Sequence, residues 1–456
     1  MLAESILERD KERGRRRRHS VTSSLPAGSP RGEAEGKAGT SDAAAAQKRP
    51  ARNMMVRVLH RNTAYYKKRM QALQVDTRGI DIMLPKTTFS VVEIGPLRSW
   101  QAQILKQKML SLGSDAAVSR KSLVKDCQTS CMLFGTERQL TVMAKAMRVQ
   151  PFGLPEVSRG ILNAVRSSRQ RATILTFRKR KLVIGTPLLM GILNVTGDSF
   201  SGDGILSCAS RVIDPAELVR KVQQMVNDGM DILDVGGESS RPGSRRLSAR
   251  EELKRVIPVL KAIRKQFPRL IISVDTYKAE VASAAVCEAA IDIVNDISAL
   301  RMDKKMPVVI RKYDLAVVLM HMQGSPRTMQ KNPRYADVCA EVFAFLHDRI
   351  SWAQERGIPF SNIIVDPGIG FGKTVEHNTE LLQNLDEFKA LGRPILIGTS
   401  RKSFIGRVLK QEDPRQRLTG SLCSVYGSLM SGARMVRVHD IKPTREVIDF
   451  YAHIYQ

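Results

Sequence analysis

Eight short apolar runs lie between residues 188 and 438, and each ends in residues able to do chemistry. The first ends at Asn194 and the second at Gly236-Gly237-Glu238-Ser239-Ser240-Arg241. The third ends at Asp275-Thr276 and the fourth at Asn295-Asp296. The fifth ends at His321-Met322-Gln323, the sixth at Asp366-Pro367-Gly368 and the seventh at Ser400-Arg401-Lys402-Ser403. The eighth carries Arg437, His439 and Asp440. Asp275, Asn295 and Asp366 offer acceptors and one amide, which suits a flat heterocycle with several N–H donors and a carbonyl. Lys402 offers a cation to a ring nitrogen or carbonyl. Arg241, Arg437 and His439 offer donors to phosphate oxygens. No Ser–His–Asp grouping or nucleophilic Cys stands at these ends, so covalent catalysis is not expected. Taken singly, Asp275 could cap a helix beginning near Lys278, and Asn295 or Asp296 could cap the next one. Eight polar ends in eight units are hard to attribute to caps alone.

The runs are Leu188–Val195, Met230–Val235, Leu270–Val274, Ile291–Val294, Ala316–Met320, Asn362–Val365, Pro394–Ile397 and Ala433–Val438. Amphipathic stretches predict helices between them: Pro215–Asp228, Ala249–Gln266, Lys278–Glu288, Pro307–Lys312, Val338–Arg356, Val375–Leu391, Arg415–Leu429 and Pro443–Tyr455. Eight strand–helix units in this length predict a TIM (β/α)8 barrel, whose C-terminal strand ends converge on one face. A doubly wound sheet is the alternative. It seldom holds eight parallel strands, and no GxGxxG follows the first run.

The 456 residues are 43% hydrophobic, enough for a large core, and only 5% aromatic. The net charge is +28, but residues 1–180 hold 35 Lys/Arg against 14 Asp/Glu, so the excess is mainly N-terminal. Residues 1–54 read as a disordered basic tail. Residues 55–180 read as a small α+β domain, with strands at Thr88–Ile94 and Met132–Phe134 and helices at Ser99–Leu112, Glu137–Arg148 and Pro155–Arg169. Residues 181–456 are the predicted barrel, entered through Arg178–Lys181 (RKRK). Six cysteines are too few for a disulfide framework and imply reduced thiols and a cytoplasmic setting. The longest uncharged run, Leu182–Gly197, is too short and too polar to cross a membrane. A basic tail without interleaved aromatics gives only non-specific attraction to phosphate, so no specific nucleic-acid partner is expected.

The stretches MGILNVTGDSFS (190–201), DVGGESSRPGS (234–244), SVDTYKAEVA (273–282), VNDISA (294–299), VLMHMQGSPRTMQ (318–330), DPGIGFGKT (366–374), TSRKSFIG (399–406) and RVHD (437–440) resemble the dihydropteroate synthases of folate biosynthesis, in the family's order and over about 60% of the chain. The resemblance implies a pterin-binding TIM barrel. It implies that 7,8-dihydropterin pyrophosphate is joined to p-aminobenzoate, giving 7,8-dihydropteroate and pyrophosphate, with sulfonamides as competitors. It places Asp275, Asn295, Asp366 and Lys402 on the pterin. It places Ser240, Phe371 and Ser403 on p-aminobenzoate, and Arg241, Arg437 and His439 on the pyrophosphate. Asn194 falls to Mg²⁺, and Lys402, Asp198 and Phe200 to catalysis.

Three departures from the family pattern stand out: Gly197 where Pro is usual, Gly202 where Asp is usual, and Ser240 where Thr is common. The runner-up within the fold is a pterin-dependent methyltransferase moving a methyl from a folate to a corrinoid. It would share the Asp and Asn ligands but is not expected to carry SRKS, SSRPG and RVHD together. Residues 1–180 match nothing in the single-domain form, and packing against the barrel or a homodimer contact is the role open to residues 55–180.

Overall fold

The computed structural model describes Leu59 and residues 62–170, 172–195, 215–239, 245–325 and 328–455. The basic tail therefore lies outside the described residues. The chain divides into two compact units, residues 1–158 and 159–456.

In the first unit, helices α1 (Thr63–Ala72) and α2 (Thr77–Met83) precede β1 (Phe89–Arg98), α3 (Ser99–Ser111), β2 (Asp115–Val118), β3 (Gln128–Thr136) and α4 (Glu137–Met147). The strands form an antiparallel sheet in the order β1-β3-β2. Period-two burial in β3 puts Cys131 and Leu133 inside, with Leu105 and Met109 of α3 and Leu140 and Met143 of α4 also fully enclosed. Asp115–Val118 is too short and too rich in Ala to be read as a strand from its pattern. Helix α5 (Leu154–Ser167) runs across the division.

The second unit opens with a hairpin, β4 (Thr173–Phe177) and β5 (Arg180–Ile184). The change placed at Lys181 by composition thus cuts through a paired element. Arg178 and Lys179 form its turn at positive φ. The hairpin turn is tied to the barrel by one charge and one backbone amide: Arg178 Nη1 lies 3.6 Å from Asp292 Oδ1, and the Lys179 amide donates to Asp314 Oδ2 at 2.8 Å. The RKRK motif is therefore a structural tether.

The barrel strands are β6 (Leu188–Asn194), β7 (Ile232–Gly236), β8 (Ile271–Asp275), β9 (Ile293–Asp296), β10 (Ala316–Met320), β11 (Ile363–Asp366), β12 (Leu396–Ile397) and β13 (Met435–Val438). All eight predicted runs are strands. They pair in parallel in the order β11-β10-β9-β8-β7-β6-β13-β12, and a bridge between Val365 and Ile395 closes the ring. Around them stand α6 (Pro215–Asn227), α7 (Ala249–Gln266), α8 (Ala279–Ala289), α9 (Met306–Tyr313), α10 (Val338–Glu355), α11 (Val375–Gln383), α12 (Ser403–Leu409), α13 (Leu418–Met430) and α14 (Ile441–Tyr455). Capping boxes open α7 (Ser248 with Glu251) and α11 (Thr374 with His377).

Strand periodicity assigns each side chain. Leu189, Leu193, Leu233, Val235, Ile272 and Val274 share one core with Leu218, Leu260 and Ala282 of the helices. Each such buried aliphatic contributes ~1.5–3 kcal/mol. Gly191 lets helices approach β6: a Cβ there would meet Met225 Cε, Met230 Sδ and Ile441 Cδ1 at under 3 Å. The alternate residues face the barrel interior. There Ile192, Ile232 and Ile293 give way toward the C-terminal strand ends to Asp234, Asp275, Asn295, Asp366 and Arg437.

Candidate active site

One cluster spans β7, β8, β9 and β13. Register places Asn194 beside Gly236, Gly236 beside Asp275, and Asp275 beside Asn295. Asp234 is completely buried. Its Oδ2 accepts from Asn295 Nδ2 at 3.1 Å and from Arg437 Nε at 2.6 Å. Arg437 Nη2 donates to Asp275 Oδ2 at 2.8 Å. One guanidinium thus bridges two carboxylates. Burial pushes the Asp275 carboxyl up to about 7, Arg437 opposes the shift, and the neighbouring Asp234 adds to it. Asp234 Oδ1 is buried without a hydrogen-bond partner among the described residues.

Asp275 does not cap α8. The first residue of that helix, Ala279, donates instead to Asp303 Oδ2 at 2.8 Å. Asp296 behaves otherwise. Its side chain accepts from the Ser298 amide at 2.7 Å, the Ser298 hydroxyl at 2.6 Å and the Leu300 amide at 3.0 Å, so it shapes the loop after β9. Of the adjacent pair, the inward Asn295 faces the mouth and the outward Asp296 is structural.

The other side of the mouth is the loop after β11. Asp366 is buried and its carboxyl is raised by that burial, with Lys402 opposing. Its Oδ1 accepts from the Gly368 amide at 2.7 Å. Lys402 lays its stem along Gly370 and places Nζ on the Ile369 carbonyl, 4.7 Å from the centre of the Phe371 ring. Burial lowers the Lys402 ammonium to about 8, although Asp366 works against this. Lys373, which reads as an ordinary loop residue in the sequence, is buried. Its Nζ lies 2.9 Å from His321 Nδ1 and donates to the carbonyls of Gly368 at 3.0 Å and Phe371 at 3.1 Å. Burial brings this ammonium down to about 7 and the His321 imidazole to about 2, so His321 is neutral and can accept. Gly368 is obligatory: it sits at φ 72°, and a Cβ there would strike the His321 carbonyl oxygen.

A recess of about 300 Å³ opens beside Asp275, lined by Glu238, Ser239, Glu252, Thr276, Tyr277 and Ile297. Lys278 Nζ pairs with both Glu238 and Glu252, and Tyr277 Oη donates to Glu238 Oε1 at 3.1 Å. Tyr277, Ile297, Met320, Met322 and Met329 form an apolar cluster with Phe371 against it. A flat ring held by edge acceptors would rest on such a wall.

At the remaining strand ends, His439 Nδ1 lies 3.1 Å from Ser400 Oγ, and Arg401 makes a paired contact with Asp440. Ser403 is the exposed first residue of α12. Asn194 ends β6 at intermediate exposure. Asp198, Phe200, Ser240 and Arg241, with the departures Gly197 and Gly202, lie outside the described residues. Sequence reading passed over Asp234, Lys373 and the Lys278 pairings. Asp234 had a signal: an acid inside the apolar ILDVG run is expensive unless paired. Lys373 had none, because its burial depends on how the Gly-rich loop folds back.

The model of the pterin binding enzyme family matches residues 190–439. The chain is 44% identical to the dihydropteroate synthase of Escherichia coli over 267 residues, 59% of this chain and 91% of that one. Among solved structures it is similar to the Yersinia pestis dihydropteroate synthase with a sulfonamide drug, at 38% identity and TM-score 0.57, covering 62% of this chain and 98% of that one. It is similar as well to the Thermus thermophilus dihydropteroate synthase in complex with 4-aminobenzoate, at 39% identity and TM-score 0.54, covering 62% and 100%. The matched segment contains every strand of the barrel whose inward residues build the acceptor cluster, and on these grounds the chain belongs to the pterin-binding enzyme family, among the dihydropteroate synthases.

Proposed function

We propose that the mouth joins the methylene of 6-hydroxymethyl-7,8-dihydropterin pyrophosphate to the amine of p-aminobenzoate. The C–O bond to pyrophosphate breaks, a C–N bond forms, the nitrogen loses one proton, and 7,8-dihydropteroate and pyrophosphate leave. The observation that carries this reading is the buried acceptor cluster Asp234, Asp275 and Asn295 around Arg437, with Asp234 Oδ1 still unpartnered among the described residues. A pterin edge is rich in N–H donors and completes such a set.

In this reading Asp275, Asn295 and Asp366 hold the pterin edge, with Lys402 on its acceptor side. The chemistry asks the protein to place the amine in line and to stabilise the departing charge. Arg241, Arg437 and His439 serve the pyrophosphate. Phe371, Ser240 and Ser403 line the p-aminobenzoate side, with Ser403 near its carboxylate. Lys402, Asp198 and Phe200 are assigned to catalysis. That one relative is solved with a sulfonamide drug and another with 4-aminobenzoate supports both as ligands of this chain.

Mg²⁺ is assigned to Asn194. An amide oxygen suits a hard cation, and Gly236 leaves room beside it: a Cβ there would lie 3.7 Å from Asn194 Oδ1. When bound, Mg²⁺ neutralises charge on the leaving pyrophosphate. The segment 181–456, with the hairpin strand preceding it, is proposed to carry all the catalytic groups, with residues 55–180 free for another role such as a homodimer contact. Among the described residues no helix is long and apolar enough to cross a membrane, and a cytoplasmic setting is proposed from the thiol content.

A coupled assay of pyrophosphate release tests the reading. Release should require both the pterin pyrophosphate and p-aminobenzoate, and sulfonamide should raise the apparent requirement for the latter. Release without p-aminobenzoate, or indifference to sulfonamide, would reject it.

A further inference from the structure

At the opposite end of the strands a second cavity, of about 310 Å³, is lined by Lys389, Arg393 and Arg434 together with Ser167, Gln170 and Thr173. Arg434 immediately precedes β13, and Arg393 lies three residues before β12. Three cations thus meet where the hairpin β4–β5 begins, and no carboxylate lines the cavity.

Their bonding differs. Arg393 is fully committed to the fold: its guanidinium donates to the carbonyls of Ile363 at 2.9 Å, Ile174 at 2.9 Å and Ser361 at 3.1 Å. It supplies charge but few spare donors. Arg434 Nη1 is buried and has no hydrogen-bond partner among the described residues. Lys389 has no ion pair or hydrogen bond there either. Its stem is fixed across Gly432, whose φ is 102° and where a Cβ would lie 2.6 Å from Lys389 Cδ. On the facing side Ser167 Oγ lies 2.9 Å from the Cβ position of Gly392, at φ 69°. The two glycines thus admit a cation and a hydroxyl where a side chain would exclude them. Burial lowers the Lys389 ammonium, Asp386 opposes this, and the charge of Arg434 lowers it further. Two like charges held together in a half-buried cavity with open donor positions form an arrangement that an anion would stabilise.

We propose that this cavity binds a phosphate group, through Lys389 Nζ and the Arg434 guanidinium with the Ser167 hydroxyl, at a site separate from the catalytic mouth. The cationic lining suits free phosphate and the head of a small phosphate ester alike.

The test is calorimetric titration of the full chain, without substrates, with inorganic phosphate and in parallel with glycerol 3-phosphate. The wild type should show two classes of phosphate site, mouth and base. The double variant Lys389→Gln/Arg434→Gln should lose one class, weakening it at least tenfold, while its unfolding midpoint without phosphate is unchanged or higher and its turnover stays within twofold. His439→Ala should keep the base site. Tighter binding of the ester assigns the cavity to phosphate esters, and tighter binding of phosphate to the free ion. Retention of both classes by the double variant overturns the proposal, as does loss of turnover together with the phosphate response; where the double variant loses thermal stability, the single Lys389→Gln variant decides, and its retention of both classes overturns the proposal. That single variant should lose the base site without unfolding. Because these readouts do not require pyrophosphate release, their failure is distinct from failure of the catalytic reading.

Discussion

The mouth and the base of the barrel use the same residue types to opposite ends. At the base, charges are spent on closing the fold. Asp292 accepts from the Ile272 amide and from Arg264 Nη2, both at 3.0 Å, and faces Arg178 at 3.6 Å. Asn362 donates to Asp314 Oδ1 at 2.9 Å, and Arg393 laces three segments together through their carbonyls. At the mouth, Asp234 keeps an oxygen without a partner among the described residues, and Asp275 and Asp366 hold protons more tightly than free carboxyls do. Burial of charge is common to both regions. A carboxylate oxygen without a hydrogen bond among the described residues is common to both as well, since Asp292 Oδ1 has only the guanidinium groups of Arg178 and Arg180 near it at 3.6 and 4.0 Å; carboxyls raised by burial are what mark the mouth. The cavity at Lys389 and Arg434 is where the base departs from its own rule.

Two substitutions should split the regions most widely. Lys402→Ala is expected to lower kcat/KM for the pterin pyrophosphate by ~10²–10³, the usual cost of removing one aimed electrostatic group, while the unfolding midpoint moves little. Arg393→Met should do the reverse. It strands several buried carbonyls and should cost ~2–4 kcal/mol of stability, read by denaturant titration, with turnover per folded molecule intact. A Lys402→Ala enzyme with near-normal turnover would remove that strand end from the site. An inactive but stable Arg393→Met enzyme would move function to the base.

Much of the mouth was legible in the sequence because a barrel converts position in a strand into direction. Once eight apolar runs are counted, each terminal polar residue must point either inward or toward a helix. Asp275, Asn295, Asp366 and Arg437 follow from that rule. Asp296 shows its limit: it is next to Asn295 but of opposite parity, and its work is local capping. The hairpin β4–β5 was hidden because its basic turn looks like a linker, and its partners, Asp292 and Asp314, lie more than a hundred residues away. Lys373 was hidden for the same reason, since its burial against His321 is a long-range contact.

A smaller effect follows from Asp275 and runs against the usual cost of mutation. A carboxyl whose folded pKa stands above its unfolded value contributes stability that is full below the unfolded pKa and is lost as pH rises through the folded one. For Asp275 the window runs from about 4, the ordinary range, to about 7. Asp275→Asn should therefore raise the unfolding midpoint at pH 8 by ~1–2 °C, equivalent to roughly 1 kcal/mol in a chain of this size, while pterin binding collapses. A lower midpoint at pH 8 would mean that the Arg437 pairing outweighs burial.

The mildest separation of the regions is by pH, and here the signs of three groups can be set against one another. Bound N–H donors favour the ionised Asp275, so affinity for 6-hydroxymethyl-7,8-dihydropterin should rise with pH until Asp275 is ionised near 7. Using the alcohol removes any titration of the pyrophosphate. Affinity should fall again as Lys402 loses its proton near 8. Each limb amounts to about tenfold one pH unit beyond its pKa. Lys373 also titrates near 7, but its proton pins the Phe371 loop through two carbonyls, so its loss with rising pH would weaken binding. The sign of the acid limb therefore identifies the group. A rise through pH 7 that vanishes in Asp275→Asn and persists in Lys373→Met assigns it to the carboxylate. Lys402→Arg keeps its charge well above pH 9, so the alkaline limb should disappear in that variant even where its affinity at pH 7 is reduced. A profile flat from pH 6 to 9, by calorimetry at constant ionic strength, would show that neither group changes charge on meeting the pterin and that the open capacity of the mouth is met by something other than its ring.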